Sequence, residues 1–365
     1  MHAPPLSVFG CALRRGALVL LALALGACER GPTPEDVHAR LLRKLPSHVQ
    51  DRAGWARDVQ AAFSAQGIAP SDENLCAALA VVEQESGFRA DPPVPGLGRI
   101  ARAEIARRAA RVHAPGFVVD AALRLRSPDG RTYGERIAAV RTERELSALF
   151  EEMTRRVPMG TRLLRSYNPV RTGGPMQVRI DFAQASTRGY PYPVDGSIRH
   201  EVFTRRGGLY FGIRHLLGYP AAYRRPLYRF ADFNAGWYAS RNAAFQRAAA
   251  LASGRALALD GDLLQPGAPM DRPGDTEAAL RALGPQLGMD DGAIRDALER
   301  GRTQAFDDTA LHAKVFALGE RAAGGPLARA RVPQIALSSP KITRKLTTAW
   351  FADRVQQRWA RCMAR

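Results

Sequence analysis

The sequence predicts a mainly α-helical protein, and three observations carry that expectation. Leu75, Ala78, Leu79 and Val82 recur at i, i+3, i+4 and i+7, the spacing that lines one face of a helix. Most of the chain from Arg89 to Val157 is rich in arginine and alanine and helical in pattern. Val178 to Phe182 is the one stretch with strand character.

Each element follows from local chemistry. Residues 29–50 are polar and broken by Pro32 and Pro34, which reads as a tether running into a short helix. Ser71 is placed as an N-cap, with Asp72 and Glu73 in the first turn, where the helix dipole favours acids. That helix runs to Glu85 and closes at Gly87. Pro92, Pro93, Pro95 and the turn Ser127-Pro128-Asp129-Gly130 punctuate the following region. Thr142 and Glu145 form a capping box for a helix through Arg156. Residues 168–196, rich in glycine, proline and aromatics, read as irregular loop. Helices are expected over 199–217 and 221–251, and again after Asp275, at Asp290, around Thr309 and from Lys341 onward.

The N-terminus carries an export signature. Arg14 and Arg15 precede an uncharged run from Gly16 to Ala27, too short to span a bilayer but of signal-peptide length. The run ends in Leu25-Gly26-Ala27-Cys28, which resembles the lipobox of bacterial lipoproteins. The resemblance implies cleavage before Cys28 and acylation of that cysteine, palmitate being a suitable chain. Stable anchoring needs more than one chain, at about 0.8 kcal/mol per buried CH2. Glu29 follows the cysteine and no aspartate stands there as an inner-membrane retention mark. By resemblance to Gram-negative lipoproteins, the expected place is the outer membrane, facing the periplasm. The competing reading is an ordinary cleaved signal with an incidental cysteine.

Removal of residues 1–27 would lower the formal charge from +18 to +16 (18 − 2, for Arg14 and Arg15). So basic a chain suits an acidic partner. Export argues against nucleic acid and favours peptidoglycan, whose stem peptides carry carboxylates; a solvated arginine-rich surface is the plainer alternative. With Cys11 lost and Cys28 acylated, Cys76 and Cys362 remain as a pair in an oxidising compartment. A disulfide between them is one expectation, two buried thiols the other.

Three segments carry candidate chemistry: Val82-Glu83-Gln84-Glu85-Ser86-Gly87-Phe88, Gly173-Gly174-Pro175-Met176-Gln177-Val178 and Phe230-Ala231-Asp232-Phe233-Asn234-Ala235-Gly236-Trp237. In that order they resemble the Glu-Ser-x-Phe, Gly-Leu-Met-Gln and Ala-Tyr-Asn-Ala-Gly motifs of the soluble lytic transglycosylases, in the lysozyme-like superfamily. The resemblance implies a lysozyme-like helical core that cleaves peptidoglycan glycan strands without a cofactor or metal. Glu85 would protonate the glycosidic oxygen, then take a proton from the muramyl 6-hydroxyl, leaving a 1,6-anhydro sugar. Such an acid works near neutral pH when an apolar pocket raises its pKa. The substrate's N-acetyl group stands in for the second carboxylate of ordinary glycosidases.

Ser86 and Phe88 would orient and wall in the acid, Met176 and Gln177 would line the sugar groove, and Phe233 and Asn234 would add a stacking wall and an amide. The bland readings are a solvated helix-end carboxylate for Glu85, plain core for Met176 and a turn former for Asn234. Glu83, the rival acid, faces away from the apolar stripe.

Departures from the family pattern are visible. Proline stands before Met176, Phe233 replaces a tyrosine, and Glu85 and Met176 are 91 positions apart (176 − 85). Residues 89–165 are therefore expected as a helical insertion near the cleft. The likeness covers about 70–88 and 166–250. This divides the chain into a signal peptide (1–27), a tether (28–50), a core with its insertion (51–252) and a C-terminal helical region packed on the core (253–365). The whole chain, including Ser339-Pro340-Lys341-Ile342-Thr343-Arg344 and Thr347-Thr348-Ala349-Trp350-Phe351-Ala352, also looks like a family of proteobacterial lipoproteins of unknown function. That likeness carries no activity with it, and a peptidoglycan-binding lipoprotein that has lost catalysis is the alternative function.

Other signatures fail. His200, His215 and Glu201 lack the spacing of a zinc helix. Gly96-Leu97-Gly98 follows prolines rather than a strand, so it is no dinucleotide loop. The arginines at 99, 102, 107, 108 and 111 could lie on anionic lipid or glycan, or simply be solvated.

Overall fold

Ser71 caps its helix as expected, its hydroxyl accepting from the Asn74 backbone N–H at 3.3 Å. The helix runs Asp72–Glu85 and buries every residue from Leu75 to Val82. It belongs to a mainly helical computed structural model that describes residues 32–156, 162, 167–337 and 344–365. The expected signal peptide, Cys28 and Ser339 to Thr343 lie outside the described residues.

The first helices are α1 (Pro34–Lys44), α2 (Arg52–Gln66) and α3 (Asp72–Glu85). Helix α1 departs from the expected tether. Val37, Leu41, Leu45 and Val49 are all buried, because their spacing gives the segment an apolar face that packs into the core beside α2.

The insertion contains α4 (Leu97–Arg111), α5 (Gly116–Arg124), α6 (Tyr133–Ala139) and α7 (Glu143–Arg155). Thr142 and Glu145 form the expected capping box on α7. Leu97, Leu123, Ile137 and Leu146 join the main apolar cluster, so the insertion is fastened to the core.

A short antiparallel hairpin follows, β1 (Thr172–Gly173) paired with β2 (Val178–Arg179). The strand expected through Phe182 stops at Arg179. Ile180–Ala185 is helix α8 instead, burying Ile180 and Ala183 three residues apart on one face. The helix expected over 199–217 is two, α9 (Ile198–Val202) and α10 (Arg205–Leu217), because Thr204 caps a new helix. The next is likewise divided into α11 (Pro226–Ala235) and α12 (Ala239–Ser253), broken at Gly236, where φ is 115°.

The C-terminal part holds α13 (Asp275–Ala282), α14 (Gly284–Leu287), α15 (Asp291–Glu299), α16 (Ala310–Ala323), the strand pair β3 (Ala336–Leu337) and β4 (Leu346–Thr347), and α17 (Thr348–Met363). Asp290 and Thr309 cap α15 and α16 through their side chains.

Two apolar clusters organise these elements. The second gathers Phe245 and Ala248 of α12 with Leu280, Ile294, Phe306, Leu311 and Phe316. The first is the larger and also takes in Phe351, Ala352, Val355 and Cys362 of α17. Residues on both sides of position 252 thus contribute to each of the two clusters. Helix α17 closes the first cluster, packing on α3 and α11. Cys76 and Cys362 are joined as a disulfide across 286 positions of sequence.

Candidate functional site

Helix α10 meets all three motif-bearing parts of the chain. It packs against α3, which ends in Glu85, against β2, next to Gln177, and against α11, which carries Asn234. Helix α17 lies against two of them, α3 and α11. Three segments scattered through the sequence thus share one structural neighbour.

At the first segment, Glu85 is the last residue of α3 and is half-buried. Ser86 terminates the helix. Its hydroxyl donates to the Val82 carbonyl at 3.0 Å and accepts from the Arg89 N–H at 3.3 Å. Gly87 and Phe88 then take left-handed backbone conformations, φ 57° and 61°. The turn swings Phe88 inward, 8% exposed and edge-on to Trp55 at 5.4 Å. It walls the core, not an open groove. Glu83 points elsewhere, pairing with Arg361 at 3.1 Å and Arg358 at 3.7 Å on α17.

At the second segment, residues 174–177 are the turn of the β1–β2 hairpin, and the Gln177 N–H donates to the Gly174 carbonyl at 3.1 Å. Met176 does not line a groove. It is fully buried, against Gly212 of α10. The reason lies in α10: a Cβ on Gly212 would sit 2.4 Å from the Met176 sulfur, and one on Gly208 would sit 2.3 Å from Pro175 Cδ. Two glycines four residues apart open a seat for the Pro175-Met176 turn. Gln177 stays half-buried, also left-handed at φ 49°. Its amide braces the hairpin, Nε2 donating to Gly174 O and Oε1 accepting from the Thr172 hydroxyl, both at 3.3 Å.

At the third segment, Phe233 is 9% exposed, with its ring stacked towards Phe351 at 6.4 Å and tilted against His215 at 5.1 Å. It too belongs to the core. Asn234 is exposed, and its Oδ1 accepts from the Thr348 hydroxyl at the start of α17, 2.9 Å away. The six motif residues other than Ser86 therefore sort by chemistry. Phe88, Met176 and Phe233 are internal, whereas Glu85, Gln177 and Asn234 keep access to solvent.

Sequence reasoning missed Asp232. This carboxylate is fully buried and accepts four hydrogen bonds, from the hydroxyls of Tyr219 (2.9 Å) and Tyr223 (2.7 Å) and the backbone N–H groups of Tyr238 (3.1 Å) and Ser240 (2.6 Å). Burial raises its pKa, against the lowering effect of those donors. Asp232 fixes the reversal between α11 and α12, where Tyr238 is left-handed at φ 64°. A lone acid inside the apolar run Phe230 to Phe233, with tyrosines near it in sequence, was the available signal.

The histidines flagged for spacing have structural roles. His215 is buried among Phe182, Phe233 and Trp237, and its Nε2–H donates to the Phe233 carbonyl at 3.1 Å. Desolvation lowers its pKa to about 4. Glu201 is buried in a salt bridge with Arg206 at 3.0 Å and a hydrogen bond from Tyr190. His200 reaches Glu151 of α7 at 2.9 Å, joining core to insertion. Among the described residues, no group of three or more His, Cys, Asp or Glu is placed to hold a metal. No described helix is long and apolar enough to cross a membrane.

A mainly helical chain with these three segments set around one helix belongs to the family described as "Protein of unknown function (DUF1615)", whose profile matches residues 48–365. It is similar to the "Uncharacterized protein YaiW" of Escherichia coli (strain K12), with 54% identity over 353 residues, covering 94% of this chain and 96% of that protein. No solved structure matches the chain.

Proposed function

We propose that this protein is a lipid-anchored periplasmic enzyme that cleaves the glycan strands of peptidoglycan by lytic transglycosylase chemistry, on a lysozyme-like core. What supports the reading is the placement of the motif segments around α10, with Glu85, Gln177 and Asn234 left accessible. A second feature points the same way. Of the five described non-glycine residues with left-handed backbone, Phe88, Gln177 and Tyr238 lie in or next to the three segments. Such conformations cost about 1–2 kcal/mol each and tend to cluster at functional sites.

In this mechanism Glu85 donates its proton to the glycosidic oxygen as the bond from C1 of the muramyl residue breaks. The carboxylate then removes the proton from the 6-hydroxyl, and O6 bonds to C1. No water is consumed and the acid is regenerated. Gln177 and Asn234 would hydrogen-bond the sugar, and Phe88 and Phe233 would act from beneath by holding the loops.

Incubating purified sacculi with the protein and analysing the soluble fragments tests the proposal. The expected outcome is 1,6-anhydromuramyl product from the native protein and none from Glu85→Gln, in a variant that still melts cooperatively. Product-free digests under conditions where a known transglycosylase works would end the catalytic reading.

The enclosure of Met176 and the folding of the Gln177 amide onto its own hairpin favour a second reading, a non-catalytic peptidoglycan-binding lipoprotein. Sacculus binding that survives Glu85→Gln, without turnover by the native chain, would select it.

A further inference from the structure

The inserted helices enclose a cavity of about 240 Å³. Ile105 of α4, Val119 and Ala122 of α5, Ile137 of α6, and Leu149 and Met153 of α7 form much of its wall, and every described lining residue is apolar. Water in such a space would lack the two to four polar partners that hold buried water, whereas hydrocarbon fits it well. The volume exceeds a cavity that takes benzene and falls below the roughly 300–1,000 Å³ of sites for drug-sized molecules. One alkyl chain is the matching shape.

The mouth opens on an apolar corner. Val118 both lines the cavity and is 47% exposed, and next to it Phe117 is 74% exposed. Cations bracket the same wall. Arg102 and Arg108 lie three residues either side of Ile105, on its face of α4. The Arg102 side chain is 48% exposed, 4.0 Å from Asp120 of α5. Arg108 pairs with Glu104 at 2.6 Å and donates through a second nitrogen to the Tyr167 carbonyl at 2.8 Å, two residues from the lining Pro169. Across residues 97–124 six arginines face one glutamate and one aspartate, a local charge of +4 (6 − 2).

We infer that the insertion binds one acyl chain of an anionic membrane lipid, with the hydrocarbon in the cavity and the headgroup phosphate beside Arg102 and Arg108. The charge excess selects an anionic over a zwitterionic headgroup, and the apolar corner provides the way in from a bilayer. This site stands apart from Glu85, so its test is independent of glycan cleavage.

The test displaces 11-dansyl-undecanoate from the purified full-length protein with lysophosphatidylglycerol or lysophosphatidylcholine, each below its micelle concentration. Lysophosphatidylglycerol should displace the probe one-to-one and at least tenfold more effectively. Ala122→Trp, which fills the cavity, and Val118→Glu, which charges its mouth, should each weaken displacement at least tenfold in protein that still melts cooperatively. Arg102→Gln with Arg108→Gln should bring the two lysolipids level while keeping probe binding. Failure of both lysolipids to compete, or undiminished binding in both cavity variants, would overturn the site. So would sedimentation showing that the native chain dimerises through this corner and that lysolipid leaves the dimer intact, which would make a second copy the occupant.

Discussion

His215 shows how one side chain couples the candidate site to pH. Its pKa in the folded protein, about 4, lies below the ordinary histidine value because burial disfavours the charged ring. The unfolded chain therefore binds the extra proton first as pH falls. The neutral ring's contribution to stability is complete above about pH 6.5 and is lost progressively down to about pH 4. Between pH 8 and pH 5 that loss is on the order of 2 kcal/mol. Urea titrations should show the native protein weakening over this interval, and His215→Phe flattening the dependence by about that amount. An unchanged slope in the variant would place the acid sensitivity elsewhere. At this scale the sequence is legible where chemistry is local. The cap at Ser71 depends on neighbours within a turn. The burial of Met176 depends on Gly208 and Gly212, more than thirty residues later and with no periodic signal linking them to it.

Among the elements, α10 matters most because its missing side chains admit the second segment. Gly212→Val should cost about 1–3 kcal/mol by overpacking against Met176. It should also lower glycan cleavage or binding, since Gln177 would shift with its neighbour. Full stability on denaturant melting would mean that the turn relaxes freely. Helix α17 is the second such element. Its cysteine, its arginines on Glu83 and its Thr348 on Asn234 tie it to two motif-bearing helices. Breaking the bridge with Cys362→Ala should cost about 2–5 kcal/mol, read from urea midpoints under non-reducing conditions. Helix ends with capping side chains were readable at Ser71, Thr142, Asp290 and Thr309. The splits at Thr204 and Gly236 were less so, because their flanking helices share one continuous apolar pattern. Residues 180–182 read as strand because Val178, Ile180 and Phe182 alternate with Arg179 and Asp181, although Ile180 and Phe182 belong to the short helix that follows β2.

For the molecule as a whole, the mainly helical class was evident from periodicity, while the arrangement into two clusters was not. Helix α12 leaves α11 at Gly236 and lends Phe245 and Ala248 to the second cluster. No composition shift marks the passage from α11, in the first cluster, to α12, in the second. The proposed anchor also belongs at this scale. Cys28→Ser should release the chain from the membrane fraction and stop incorporation of labelled palmitate, with sacculus cleavage by the purified protein retained. Persistence of label in that variant would refute acylation at Cys28.

The bridge from Cys76 to Cys362 also bears on the order in which the protein can be made. Helix α3 emerges from the ribosome long before α17, yet its apolar face is completed only by that late partner. The site end of α3 must wait, half-covered, while 286 further positions are delivered. A premature stop anywhere ahead of Thr348 would thus strand the early helices with their inner surfaces open, and the product would be prey for proteases rather than a shortened working protein.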